Sequence, residues 1–324
     1  MEKKSSMAKS ISPAKSAVLR DLEKQGYRFV GSHSAIKVCL WCKRAVKNED
    51  VCYKNTFYGI QTHRCIQSSV SMFNCFHRCK FCWRTLDYTL PYEVKNPDSP
   101  KFILDGFIKA QKEYLQGFKG NKKTDPKRFE EAMNPKHVAL SLAGDATLYP
   151  LLPEMIDEIH SRGMTSFVVT NGMMPSMLRK LLDHEPTQLY VTLPAPDEKT
   201  YLNVCNPLIK DGWSRLMESL DLLQSFKRST IRLTVYKGLN FHNIQGYADI
   251  IKDLKVKFIE VKAGMPVGYA QYRLAYEDMP RHNEIIEFSK KLGELSNLKI
   301  ISEKENSRVA LLMRKDFEGR KLNF

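Results

Sequence analysis

The stretch Asn74–Trp83 reads NCFHRCKFCW. Three cysteines, Cys75, Cys79 and Cys82, fall within eight positions, with aromatic and basic residues between them. No two of them are spaced as a disulfide framework would space them. A structural zinc site takes four protein ligands, commonly as two separated pairs, and this loop supplies three. A 4Fe–4S cube has four irons, each needing an outside ligand. Three thiolates on one tight loop would hold three irons and leave the fourth open to a small molecule.

The rest of the chain suits that chemistry. It has 324 residues, 43% of them hydrophobic, enough for one large domain or two smaller ones. It contains no apolar run of ~18 residues, so no membrane span is expected. The N-terminal MEKKSSMAKSISPAKS is basic and lacks the apolar segment of a secretory signal. Eight cysteines without such a signal indicate a reducing, cytoplasmic setting, where clustered thiols serve metals rather than disulfides. The net charge is +15, from 51 Lys and Arg against 36 Asp and Glu. A basic protein of this kind meets a polyanion, with nucleic acid the leading candidate; the plain alternative is lysine in excess for solubility. The lysine-rich KGNKKTDPKR (119–128) reads as a solvated surface loop, with phosphate contact as its functional reading.

Downstream of the cysteines the pattern alternates. Helical spacing in SPKFILDGFIKAQKEYLQGF precedes the short apolar run HVALSLAG (137–144). Then come a helix in PLLPEMIDEIHSRG, a strand in TSFVVTNG (165–172), a helix in PSMLRKLLDHE and a strand in TQLYVTLPA. GWSRLMESLDLLQSFK, STIRLTVYKG, NIQGYADIIKDL and KFIEVKAGMP continue the alternation, and HNEIIEFSKKLGELS and VALLMRK close it. Right-handed crossovers make such a series an α/β fold with a parallel sheet under helices, either doubly wound or a partial barrel. Its site belongs at the strands' C-terminal ends.

CxxxCxxC with an aromatic (Phe81) before the last cysteine resembles the signature of the radical S-adenosylmethionine (SAM) enzymes. The resemblance implies a partial (β/α)6-type barrel with an N-terminal cysteine-rich extension. It also implies a 4Fe–4S cluster on Cys75, Cys79 and Cys82 that binds SAM at the open iron and cleaves it to a 5'-deoxyadenosyl radical. SLAGDATLYP (141–150) is similar to the family's segment after the second strand, with Ala143-Gly144-Asp145 where that segment usually has Gly-Gly-Glu. Asp145 would take the methionine ammonium, and Gly144 would let the backbone come close. Thr170 and Asn171, ending VVTNG, would contact the ribose or the methionine end. Arg232 is a candidate for the SAM carboxylate, or else a surface or tRNA-facing arginine.

Upstream, Cys39, Cys52 and Cys65 stand in a C-x12-C-x12-C pattern, since 52 − 39 and 65 − 52 are both 13. Three more thiols suggest a second 4Fe–4S cluster, again with an open iron; buried free cysteines are the plain alternative. Cys42 makes a CxxC with Cys39 and competes for the role, and Cys205 reads as a buried bystander. Both sets, with GSHSAIKVC, CYKNTFYGIQTHRC and CKFCWR, closely resemble the wyosine-forming radical enzymes over roughly residues 30–315. Residues 1–29 then form a tail and helix, 30–67 the second-cluster segment, 68–300 the barrel and 301–324 a C-terminal extension packed on it. The family's eukaryotic relatives carry a flavodoxin-like domain. The expectation here is the archaeal form, a cytoplasmic monomer that takes electrons from a separate donor of flavodoxin or ferredoxin type.

The resemblance implies a carbon–carbon lyase that condenses N1-methylguanosine-37 of tRNA-Phe with pyruvate to 4-demethylwyosine, the tricyclic-base step of wybutosine formation. The basic excess would bind the anticodon stem-loop by its phosphates, with the base turned out into the pocket. Trp83, Tyr88 and Tyr269 are candidates for stacking on it. Pyruvate would be held as a Schiff base on Lys54, two residues beyond Cys52, or on Lys262, at the end of FIEVK. Two rivals stand beside this. A radical SAM enzyme acting on another RNA base or a peptide needs only the first cluster. A zinc-dependent nucleic-acid binder would join Cys39 and Cys42 to the 75–82 thiols.

Overall fold

A computed structural model of the chain describes residues 13–324. Helix α1 (Pro13–Lys24) leads into a hairpin, β1 (Tyr27–Val30) and β2 (Ser34–Lys37). Two short helices follow, α2 (Leu40–Val46) and α3 (Tyr53–Tyr58), and then strand β3 (Cys65–Ser69). Beyond the 74–83 loop come α4 (Pro100–Leu115), α5 (Pro126–Ala132), β4 (His137–Leu140), α6 (Leu152–Ser161), β5 (Thr165–Thr170), α7 (Pro175–Lys180) and β6 (Gln188–Thr192). The chain continues through α8 (Glu198–Cys205), α9 (Gly212–Leu223), β7 (Ser229–Val235), α10 (Ile244–Ile251) and β8 (Phe258–Ala263). It ends with α11 (His282–Ser296), β9 (Lys299–Lys304) and β10 (Val309–Met313).

The strands make one sheet in the order β1-β2-β3-β4-β5-β6-β7-β8-β10-β9. β3 through β8 are parallel, and the antiparallel pairs β1/β2 and β10/β9 extend the two ends. β1 and β9 remain edges, so the sheet is an open, partial six-stranded barrel with antiparallel extensions. Positions 67 and 300 fall inside β3 and β9, so the sheet passes through both points unbroken. The helix starts carry their own signals. Ser99 and Asp125 accept from Phe102 N and Arg128 N, and Pro100 and Pro126 stand where a missing N–H costs nothing. The stretch 119–128 is therefore a loop only as far as Asp125.

Alternation along the strands sorts two cores. Val138, Leu140, Val168, Leu189, Val191, Ile231, Leu233, Ile259 and Val261 pack under the outer helices. Ala139, Phe167, Tyr190, Phe258, Val309 and Leu311 face the concave side, where Tyr53, Phe57 and Tyr58 of α3 fill the space they enclose. The six-residue α3 thus owes its place to the sheet around it, since a helix this short is marginal alone.

Candidate active site

The 74–83 loop leaves the C-terminal end of the sheet and is fastened by its backbone on several sides. Cys75 N donates to Leu90 O at 3.0 Å, Asp145 N to Asn74 O at 2.8 Å, and Lys80 N to Val204 O at 2.9 Å. From beyond β8, Tyr269 N donates to Trp83 O at 2.9 Å, and Arg273 donates to the carbonyls of Lys80 and Cys82. Cys75 is buried, and Cys79 and Cys82 are half-buried. Burial pushes the Cys75 thiol up to about 12 against the pull of the Arg84 charge. Such thiols ionise when a metal replaces the proton.

Five of the six residues expected to hold SAM are gathered beside Cys75. Asp145 is 2% exposed and knots the ends of β4 and β5. Its Oδ1 accepts from Thr147 N at 3.0 Å and Thr147 Oγ1 at 2.7 Å, and its Oδ2 from Asn171 N at 3.0 Å. Thr170 Oγ1 lies 2.9 and 3.0 Å from the two oxygens. Asn171 Nδ2 donates to Cys75 Sγ at 3.4 Å. Ala143 O accepts from Ser69 Oγ at 2.5 Å. Gly144 has φ +67°, and a Cβ there would overlap the carbonyl oxygen of Ser71 and stand 3.0 Å from that of Asn74. Only glycine combines that backbone with that approach.

The sixth, Arg232, is engaged elsewhere. Its Nε donates to Glu260 Oε2 at 3.0 Å, its Nη2 to Tyr53 Oη at 2.8 Å, and its guanidinium lies 4.5 Å from the Tyr190 ring centre. Glu260 is fully buried and also accepts from Tyr58 Oη at 2.8 Å. The carboxylate sought for Arg232 is thus supplied by the adjacent strand, at the register partner of Arg232 itself.

This ion pair borders the second cysteine set. Cys39 precedes α2, Cys52 precedes α3, and Cys65 opens β3. Cys65 is pushed up to about 12, by burial and then by the neighbouring Cys39. Cys52 is pushed up to about 11, again by burial and then Cys39. Cys39 is thus a neighbour of both. Lys54 is 9% exposed, with its ammonium 5.0 and 4.9 Å from the ring centres of Phe167 and Tyr190. Lys262 Nζ donates to Ser307 O at 3.1 Å, and burial, then the Arg232 charge, lower it to about 8.

The remaining cysteines separate. Cys42 is fully buried, with His63 O and Gln111 Nε2 each 3.7 Å from its sulfur, and its N–H donates to Cys39 Sγ at 3.3 Å. Cys205 is buried but not isolated. Ligand atoms of His77, Cys79 and Cys205 lie within 4.8 Å of one another, the one such His/Cys/Asp/Glu group among the described residues. Neither expected trio is that compact. Thiolates on one zinc ion would be ~3.8 Å apart, from Zn–S bonds of about 2.3 Å. Neither trio is drawn together to that spacing, and the mixed Cys39/Cys42 zinc set is not assembled among the described residues.

Comparison with known proteins agrees. Residues 69–251 match the radical SAM superfamily, and residues 255–314 match the family described as wyosine base formation. The SAM-dependent tRNA 4-demethylwyosine synthase of Pyrococcus abyssi is 45% identical over 300 residues, covering 91% of this chain and 88% of that protein. The chain belongs to the tRNA 4-demethylwyosine synthase family of radical SAM proteins. A solved structure of TYW1 with a lysine–pyruvate adduct bound is 37% identical, with TM-score 0.85 over 96% of this chain and 99% of that one. A crystal structure of archaeal TYW1 is 33% identical, with TM-score 0.77 over 97% and 100%. Membership implies a 4Fe–4S cluster and SAM, and both fit the residues about Cys75. Of the aromatic candidates, Tyr88 packs edge-on to Phe73 at 5.0 Å and Tyr269 donates to Asp21, while Trp83 is 40% exposed. Among the described residues no helix is long and apolar enough to cross a membrane.

Proposed function

We propose that the chain condenses N1-methylguanosine-37 of tRNA-Phe with pyruvate to give 4-demethylwyosine, as a cytoplasmic carbon–carbon lyase fed by a separate electron donor. One observation carries this reading: an amine, Lys54, is buried in the same space as three thiols that the radical SAM loop does not use. The solved relative with a lysine–pyruvate adduct and the name of the Pyrococcus protein support it.

Cys75, Cys79 and Cys82 would each hold one iron of the first cluster, and Cys39, Cys52 and Cys65 three irons of a second. When bound, the first cluster with SAM supplies the radical that takes hydrogen from the N1-methyl group. The chain's residues prepare that event. Asp145 Oδ2 carries fewer donors than Oδ1 and so has room for the methionine ammonium. Gly144 admits the cosubstrate to the backbone, and Thr170 and Asn171 close the pocket beside Cys75. Lys54 adds through Nζ to the C2 carbonyl of pyruvate and releases water, which fixes the keto acid as an iminium. Lys262 is the competing amine; its Nζ donates to the carbonyls of Ala263 and Ser307. The Arg232–Glu260 pair walls the space, and the basic surface binds the anticodon stem-loop.

The test is chemical. The anaerobically reconstituted protein is treated with labelled pyruvate and borohydride, and labelled peptides are mapped. The label is expected on Lys54 and lost in Lys54→Ala; label that stays after this change and leaves with Lys262→Met would move the role to Lys262. The same preparation with SAM, reductant and methylated tRNA-Phe should give the tricyclic nucleoside by mass spectrometry. SAM cleavage without that product would overturn the substrate assignment.

A further inference from the structure

Arg84 stands two residues beyond Cys82 and is 2% exposed. A guanidinium keeps its charge at any ordinary pH, and a buried charge needs an opposite one. None is supplied by a carboxylate: the ion pairs among the described residues, out to 4.0 Å, do not include Arg84. Its neighbours are neutral. Nη1 donates to Thr89 Oγ1 at 2.8 Å, Nη2 donates to His77 O at 3.1 Å, and Nε is buried with no partner. The anions at hand belong to the cysteine loop itself: His77, whose carbonyl takes Nη2, lies between Cys75 and Cys79 and donates its own N–H to Cys75 Sγ at 3.4 Å.

Resting on the cluster assignment proposed above, we infer that Arg84 is the fixed counter-charge of the Cys75/Cys79/Cys82 cluster and holds its reduction potential up. Reduction adds one negative charge to a group that is already anionic through its thiolates. A cation buried beside it favours the reduced form, and exclusion of water leaves that attraction poorly screened. The surrounding donors act in the same direction. His77 N lies 3.4 Å from Cys75 Sγ, as does Asn171 Nδ2. Arg84 is the one full charge among these three donors. It is a positioning residue in this reading: its charge acts on the cluster and not on the substrate. A purely structural role, tying Thr89 to the His77 carbonyl, would change stability and leave the potential alone.

The experiment is a redox titration of the reconstituted full-length protein, following the reduced-cluster EPR signal that SAM perturbs. Arg84→Gln removes the charge and keeps hydrogen-bonding capacity. Iron content is measured on every sample. At a fixed poise the reduced-to-oxidised ratio is expected to fall at least tenfold, or 59 mV on a one-electron couple. Arg84→Lys, which keeps the charge, should stay within about threefold of the unaltered protein by the same relation. An unchanged ratio in iron-replete Arg84→Gln overturns the inference. If that variant does not hold iron, Arg84→Lys decides: a ratio near that of the unaltered protein supports the inference, and a tenfold fall overturns it. Absence of a SAM-responsive signal in the unaltered protein would instead refute the cluster assignment, and its iron content would show this.

Discussion

Glu260→Gln changes the charge of one fully buried group and almost nothing of its shape. The carboxylate accepts from Arg232 Nε at 3.0 Å, Tyr58 Oη at 2.8 Å and Tyr53 Oη at 3.2 Å. A glutamine can still offer its oxygen to Arg232 and its amide to a tyrosine oxygen. What it cannot do is neutralise a guanidinium that is only 14% exposed. Removing one partner of a buried ion pair costs about 3–5 kcal/mol. For a chain of this size each kcal/mol moves the midpoint by roughly 2 °C, so a fall of about 6–10 °C follows. The assay is anaerobic thermal unfolding followed by circular dichroism. Arg232→Met in the same chain should return most of the loss, because the stranded charge is then gone. The double variant should also bind SAM as the unaltered protein does, since Arg232 is committed to Glu260 and not to the pocket beside Cys75. A single variant within about 2 °C of the parent would show that Arg232 has another anion, by the same scale. Loss of SAM binding in the double variant would return Arg232 to the cosubstrate.

Two further outcomes follow from the geometry. Gly144→Ala places a methyl group on backbone that cannot step aside: the Cβ would lie 2.8 Å from the Ser71 carbonyl carbon, with φ at +67°. The conformation alone costs about 1–2 kcal/mol, and the overlap displaces the segment that delivers Cys75. SAM binding measured by equilibrium dialysis should fall by more than tenfold, and binding within twofold of the parent would count against the close approach. His33 is held below its ordinary 6.5, chiefly by burial, while its Nδ1 donates to Val70 O at 2.6 Å and its Nε2 accepts from Asp98 N at 3.0 Å. The folded chain therefore takes up this proton less readily than the unfolded chain. The contribution is fully present above pH 6.5 and declines as pH falls below it. His33→Asn, which can still donate to Val70, should flatten the loss of thermal stability between about pH 7 and pH 5.5; parallel curves would refute the assignment.

Much of the architecture is legible along the chain. β4 to β8 are short apolar runs bounded by turn residues; α6 and α7 carry proline starts, and α6 and α8 end against Gly163 and Asn206. β3 is not legible in this way. Its sequence, CIQSS, has one large apolar residue, and it becomes a strand because β2 and β4 complete its ladders. Helices α2 and α3 are seven and six residues long, too short to show a period, and tertiary contact holds them. Arg84 carried a readable hint, a cation just past three thiols, but its burial did not.

What the sequence alone determined is the chemistry available. Intervals of three and two residues tie three thiols to one loop, and a ligand set that local needs no folded protein to be recognised. Gly144-Asp145 and Thr170-Asn171 likewise announce strand ends. Which charges meet was settled only in three dimensions. Arg232 and Glu260 are neighbours through the register of β7 with β8, and Cys205 reaches Cys79 because α8 ends against the cysteine loop. Electrostatic partnership depends on distance and on the exclusion of water. Both are properties of packing, which a linear spacing does not carry.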